Sequence, residues 1–310
     1  MTGYTGAAYY HSSLSAHLRR STSLTPIMMS GDNPNYQLIS ALRYDKEALI
    51  SAEWNTSRNA GKQSPYFLLP WTVDRLMTAA NVHSWSIPTG LTSAWLESRC
   101  DASLQDKDLG KPYKVPRENI RSFIPKLTTL QMRIVLSYLG TISVESTPIQ
   151  KLTNPEDLFA ASTLNPNSAL VTSEPLVAMH LDTAPTSPSI FTSTKTTRRE
   201  AYDLARVRVG IPAAGVEPGT PKDVVLYRPD GQVMETSNRN IAFWREGRWV
   251  TPPLQVGCLP GVARRVLVEE GKIVEGETLI TDLKVGDILL LFNAVEGARL
   301  GKICPSNGQA

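Results

Sequence analysis

No apolar run in this 310-residue chain is long enough to cross a bilayer, so a membrane-spanning protein is not expected. Cysteine is scarce. Cys100, Cys258 and Cys304 are odd in number, widely spaced and without a CxxC pair, which argues against a disulfide framework or zinc site and for a reducing compartment. The four histidines, His11, His17, His83 and His180, show no metal-ligand spacing, so no metal is expected, and His180 reads as a core histidine. Neither sign of charge dominates. A net charge of +3 with dispersed basic residues leaves no footprint for nucleic acid. Residues 1–34 lack an acid before Asp32 and carry Arg19 and Arg20. A mitochondrial transit peptide shares that composition, but no clear amphipathic stripe accompanies it. A short helix or an arm lying on the protein is the expected alternative, with a cytoplasmic location.

What is present is an ordinary globular composition, 41% hydrophobic and 20% charged, enough for one large core or two modest ones. The densest pattern runs from Asp223 to Gly271. Asp223–Tyr227, a short run carrying Glu235, Asn240–Trp244 and Arg248–Thr251 read as a meander of strands, with turns at Pro229-Asp230-Gly231 and Glu246-Gly247. After Pro260-Gly261 a helix is predicted, with Val262, Val266 and Leu267 on one face and Gly271 as its stop. A helix starting at Gly261-Val262 offers backbone N–H groups and a positive dipole end to an anion, and glycine allows close approach. Glu235 sits inside an otherwise apolar hairpin, where a cation or protonated ring nitrogen would offset the cost of a buried charge. Upstream, Lys195 precedes a predicted helix whose start fits a capping box of Thr197 and Glu200, with Ala201, Leu204 and Ala205 as its apolar face. The helix end and Arg198 and Arg199 should lower the lysine's pKa, as attack on an aldehyde requires. Phosphate seat, carboxylate and amine together are the parts of a pyridoxal-phosphate site.

Earlier in the chain, Ser57–Ser64 reads as a polar, mobile loop. Leu76, Ala79 and Ala80 lie at helical spacing with Arg75 beside them. Asn81–Thr129 reads as mainly helical with charged turns such as 106–110, and Gln131–Ser137 as a buried strand carrying Arg133. For Arg133 two readings stand side by side: a contact to a substrate carboxylate, or an edge-strand arginine facing water. A domain boundary is expected within Asn154–Ser187, around an apolar strand at Pro175–Leu181. Asp282–Leu291 reads as a turn and strand leading into Asn293-Ala294.

Lys195-Thr-Thr-Arg-Arg, Glu235-Thr-Ser-Asn-Arg-Asn-Ile-Ala-Phe-Trp, Thr251-Pro-Pro-Leu and Leu259-Pro-Gly-Val-Ala-Arg-Arg, in that order, resemble the class IV aminotransferase family. The resemblance covers roughly residues 36–303. It implies an α/β (α+β) fold of type IV, two α/β domains with pyridoxal 5′-phosphate between them. The domain plan that follows is an extension over 1–34, a small domain over 35–160, a connecting region over 161–187 and a larger domain over 188–310. It also implies that Lys195 carries the cofactor and catalyses, that Glu235 meets the ring nitrogen, and that Arg75, Gly261, Val262, Asn293 and Ala294 complete the cofactor site. Ser40, Arg133 and Asn293 would face the substrate. Thr72 stands where the family commonly has His. Asn293-Ala294, and Glu200 in place of a transaminase tyrosine, make the chain most similar to the lyase branch in its fungal-type form. That branch converts 4-amino-4-deoxychorismate to 4-aminobenzoate and pyruvate. A transaminase on the same scaffold, acting on an amino acid or amine, is the nearest alternative, and a non-catalytic relative another. A small-molecule amine substrate and a homodimer are the expected partners.

Overall fold

The computed structural model describes residues 34–105, 129–151, 157–168, 175–212 and 221–305. The expected N-terminal arm (residues 1–33), His11, His17 and the charged turn at 106–110 lie outside them. A three-stranded antiparallel sheet is made from β1 (Leu38–Asp45), β2 (Thr129–Leu136) and β3 (Ile142–Pro148), in the order β1-β2-β3. Helices α1 (Leu69–His83) and α2 (Ser93–Gln105) cover it. Leu38 and Leu42 of β1 and Met132 and Ile134 of β2 pack with Val73, Leu76 and Ala80 of α1 and Leu96 and Cys100 of α2. The expected apolar face of α1 is thus the buried one. Pro70 lies in its first turn, where a missing amide costs no intrahelical bond.

The remaining strands are β4 (Val177–Leu181), β5 (Lys222–Tyr227), β6 (Val233–Thr236), β7 (Asn240–Arg245), β8 (Arg248–Thr251), β9 (Ile273–Glu275), β10 (Ile288–Asn293) and β11 (Gly297–Ile303). They form one sheet in the order β6-β5-β4-β11-β10-β7-β8-β9. Strand β4 falls inside the segment expected to connect the domains, and sits between β5 and β11 in this sheet.

All four runs expected between Asp223 and Thr251 are strands, but they are not one meander. They are two hairpins, β5–β6 and β7–β8, separated in the sheet by β4, β11 and β10. Burial explains the rearrangement. Ile241, Ala242 and Phe243 of β7 are all buried, so β7 needs a neighbour that is apolar on both faces. Leu289–Phe292 of β10 is such a strand and pairs with it residue for residue. Strand β6, four residues long and carrying Glu235, is not. Yet only three residues link β6 to β7, closed by Thr236 N–H donating to Arg239 O at 2.9 Å. The sheet therefore curves round to bring its separated hairpins together at this turn.

Two helices flank this sheet, α3 (Glu200–Arg208) and α4 (Val262–Glu269). Val262, Val266 and Leu267 bury the expected face of α4. Gly271 follows its end at φ +67°, a left-handed backbone that favours glycine. Leu49, Phe67 and Leu68, from the segment between β1 and α1, pack in one cluster with Val262 and Val266 of α4 and Leu290 and Phe292 of β10.

The loop expected to be mobile at Ser57–Ser64 is anchored. Arg58 is buried and forks to Asp157 (2.5 and 2.8 Å) and Glu270 (2.6 and 2.8 Å). The amides of Asn55 and Asn59 hold the carbonyls of Leu49, Ser64 and Tyr66. Those partners are what a composition of polar residues does not reveal. Among the described residues no helix is long and apolar enough to cross a membrane.

Candidate active site

A cavity of about 600 Å³ opens between the two sheets, within the range of small-molecule sites. The backbone explains why it forms there. The segment Lys195–Thr197 runs beside β1, with Ile39 N–H donating to Lys195 O (2.8 Å) and Thr197 N–H to Gln37 O (2.9 Å). Farther along β1, Arg43 N–H donates to Ala294 O at 3.1 Å. One strand of the small sheet therefore fixes both the Lys195 segment and the β10–β11 turn of the large sheet.

This docking overturns the expected capping box. Thr197 Oγ1 accepts from Gln37 N–H (2.9 Å), and α3 starts later, with Arg199 as its N-cap and no side-chain cap. Ala205 is buried as expected, but Leu204, expected on the same face, is exposed, and Tyr202 and Arg206 are buried instead. Arg198 turns outward, pairing with Glu200 at 3.4 Å and stacking on Phe191, so it is not a neighbour of the lysine amine.

Lys195, Glu235, Arg75, Arg133, Gly261, Val262, Asn293 and Ala294 all line the cavity. Removal from water, then the charges of Arg199 and Arg75, hold the Lys195 amine down to about 7, against an opposite pull from Glu235. Near neutral pH much of it is unprotonated. Glu235 is only 3% exposed, and burial pushes its carboxyl up to about 7. Its partners are neutral donors: Tyr202 Oη–H (2.8 Å) and Leu259 N–H (3.1 Å) to Oε1, and Asn240 Nδ2–H (3.3 Å) to Oε2.

Arg75 projects from α1 with no acidic partner among the described residues. Its Nη2 donates to Ser40 Oγ and its Nε is buried without a partner. Burial lowers its pKa to about 10. Ser40 thus stands behind Arg75 rather than on the cavity wall. An unpaired guanidinium beside a lysine is a seat for an anion. Arg133 is on the central strand of its sheet, not an edge, and donates to Glu145 Oε2 at 2.6 Å across the β2–β3 pair. Asn293 Oδ1 accepts from the amides of Val295 and Glu296 (both 2.8 Å), so that oxygen holds the β10–β11 turn.

Gly261 is the N-cap of α4, but its own N–H donates to Leu259 O (2.8 Å). A Cβ there would lie 1.9 Å from Asn240 Oδ1, so it is Asn240 that demands glycine. The amides left for an anion are those of the first turn, from Val262 onward, which have no intrahelical acceptor. Thr72 is buried and its hydroxyl donates to Leu68 O within the helix, away from the cavity. His180 is buried as expected, but its Nδ1 has no hydrogen-bond partner.

The family model for amino-transferase class IV matches residues 109–301. The chain belongs to that family. Among curated relatives, the aminodeoxychorismate lyase of Saccharomyces cerevisiae is 29% identical over 256 residues, covering 77% of this chain and 67% of the relative. A Schizosaccharomyces pombe protein provisionally given the same name is 27% identical over 231 residues, covering 74% and 80%. A Mesorhizobium loti crystal structure, provisionally assigned as an amino-acid aminotransferase, superposes with a TM-score of 0.57. That likeness covers 87% of this chain and 100% of that one, and at 19% identity it concerns the fold alone, which is the expected fold of type IV.

Within this class IV chain, three contributors to the site were not anticipated: Tyr202, Asn240 and the Leu259 amide. Tyr202 is seven residues past Lys195 in the helical pattern, and Asn240 opens an apolar strand. Tyr202 meets Glu235 through tertiary packing, and Asn240 reaches it across the short β6–β7 turn, whose geometry the residue types alone do not give.

Proposed function

We propose that this chain is an aminodeoxychorismate lyase that uses pyridoxal phosphate to convert 4-amino-4-deoxychorismate to 4-aminobenzoate and pyruvate. The reading is carried by the opening of Lys195, Glu235 and Arg75 into one cavity. It is supported by the yeast relatives' names. The residues present fit the cofactor: an arginine with an orphaned buried Nε suits its phosphate, and a buried carboxylate with no cationic partner in contact suits a protonated ring nitrogen. In this reading Arg75 and the first-turn amides of α4 hold the phosphate. Glu235 would hold a proton on the ring nitrogen, and Lys195 would hold the cofactor at its aldehyde end.

Bound there, the cofactor supplies an electron sink for the carbon that carries the substrate amine. Lys195 Nζ, largely unprotonated near neutral pH, would be the base that takes the proton from this carbon. It then returns a proton to the departing enolpyruvyl group, which leaves as pyruvate. The ring left behind becomes aromatic, so the protein's task is orientation and one well-placed base. Arg133 anchors a substrate carboxylate, and Asn293 and Ala294 shape the wall beside it. The two sheets with their helices act as the lobes of a cytoplasmic homodimer, a state that sedimentation would check.

Purified protein supplied with pyridoxal phosphate and 4-amino-4-deoxychorismate should release 4-aminobenzoate and pyruvate in equal amounts. Release of a keto acid from branched-chain or D-amino acids without those products would make it a transaminase. A preparation that takes up no cofactor would end the enzymatic reading.

A further inference from the structure

Tyr202 lies on the buried face of α3, fully outside the sequence signals for the site, yet its hydroxyl is 2.8 Å from Glu235 Oε1. Among the described residues its one other acceptor is Thr192 O at 3.4 Å, a longer and poorer one. Burial and the adjacent carboxylate push the phenol far above its ordinary range, so it stays protonated and is an obligate donor. The Leu259 amide gives Oε1 a second donor, while Oε2 has only the long contact from Asn240. The two carboxylate oxygens are therefore unequal, and Oε2 retains free accepting capacity.

We propose that Tyr202 is a positioning residue that acts through Glu235: its hydroxyl locks Oε1, leaves Oε2 for a ring N–H, and weakens the carboxylate as a base so that the proton stays on the ring nitrogen. This rests on the assignment of Glu235 to that nitrogen. The physical reason is that a donor stabilises the anion over the acid, so a carboxylate deprived of it would pull the proton away from the ring. The other groups facing Glu235 are Lys195 and Arg199, from the segment beside β1, and Cys258, from the turn before α4. Lys195 and Arg199 favour the anion, but neither hydrogen-bonds it. The Cys258 thiol, pushed up to about 12 by burial, is neutral and does not titrate in the working range.

The test follows the Glu235 carboxyl in cofactor-free protein by difference infrared spectroscopy, the band being assigned by its loss in Glu235→Gln. Tyr202→Phe should raise its midpoint by about one to two pH units, the worth of one hydrogen bond to a charged acceptor. A fluorotyrosine at position 202, a stronger donor of nearly the same size, should lower it, and guards against a poorly folded phenylalanine variant. Unmoved midpoints in both proteins would overturn the proposal, even if turnover fell. Uptake of pyridoxal phosphate, titrated on the same wild-type preparation, tests the underlying assignment separately. No uptake would sink the role of Glu235 toward a ring nitrogen, whatever the midpoints do. With uptake intact, Tyr202→Phe should lower kcat about tenfold or more and leave KM nearly unchanged.

Discussion

Glu235 and Asp223 are buried carboxylates on paired strands, β6 and β5, yet their surroundings are opposite in kind. Asp223 is closed by charge. Arg239 Nη1 donates to it at 2.7 Å, Arg206 stands at 3.8 Å, and Ser237 and Thr236 donate as well. Among the described residues Glu235 is held by a phenol, an amide side chain and a backbone N–H alone. Two arginines show the same contrast. Arg239 is forked between Asp223 and Glu296, whereas Arg75 meets only a serine hydroxyl. Where the fold needs a buried charge for its own cohesion, it supplies the countercharge. Where it leaves one with no opposite charge in direct contact, it has left room for a ligand that brings one.

The comparison breaks most sharply under substitution of the two acids. Asp223→Asn removes the charge that Arg239 and Arg206 share and should cost about 3–5 kcal/mol of stability, read from the denaturant midpoint. Glu235→Gln should leave that midpoint unchanged or higher, because it removes a buried charge. It should instead lower lyase turnover by about 10²–10³-fold, as loss of a preorganised electrostatic contact does. If both substitutions destabilise alike, the distinction between scaffold and site charges fails.

The arginines give the next largest effect. Arg75→Met should weaken uptake of pyridoxal phosphate by about ten- to a hundredfold, measured by titration, with excess cofactor restoring the rate. The same change at Arg239 should lower stability instead.

The smallest effect is on pH dependence in cofactor-free protein. The Glu235 carboxyl is raised from its ordinary 4.5 to about 7, so the folded state binds the extra proton between those values, and its contribution to stability is lost as pH rises through that window. The Lys195 amine is lowered from 10.5 to about 7, so its contribution has the opposite sign, with stability rising from about pH 7 toward 10.5. Subtracting the Glu235→Gln profile from the wild type should isolate the first slope, and Lys195→Met the second. Because Arg199 is the charge that lowers Lys195 most, Arg199→Met should move the pH midpoint of cofactor uptake upward.

The parts of the fold visible in sequence were those set by local pattern. The buried face Val262, Val266 and Leu267 with its stop at Gly271, the faces of α1, and the strands at Asp223–Tyr227 and Asn240–Trp244 all follow from short-range periodicity and turn residues. What stayed hidden depends on distant partners. The order of strands could not be read because β7 prefers the doubly buried Leu289–Phe292 to its own neighbour β6. The capping role assigned to Thr197 failed because that hydroxyl is taken by the backbone of Gln37, 160 residues earlier. Arg58 looked like a loop residue because Asp157 and Glu270 are 99 and 212 positions away. At the site, Lys195 and Glu235 were legible from their order and neighbours. Tyr202 and Asn240, which set the state of Glu235, were not.

The central claim is that Lys195 is the amine that grips the cofactor, opposite a carboxylate that no cation hydrogen-bonds. Loading the protein with pyridoxal phosphate, reducing the carbon–nitrogen link with borohydride and mapping the adduct by mass spectrometry tests it directly. The account predicts a single modified peptide carrying the cofactor on Lys195, absent in Lys195→Ala. A stable adduct on another lysine, with Lys195 unmodified, would contradict it.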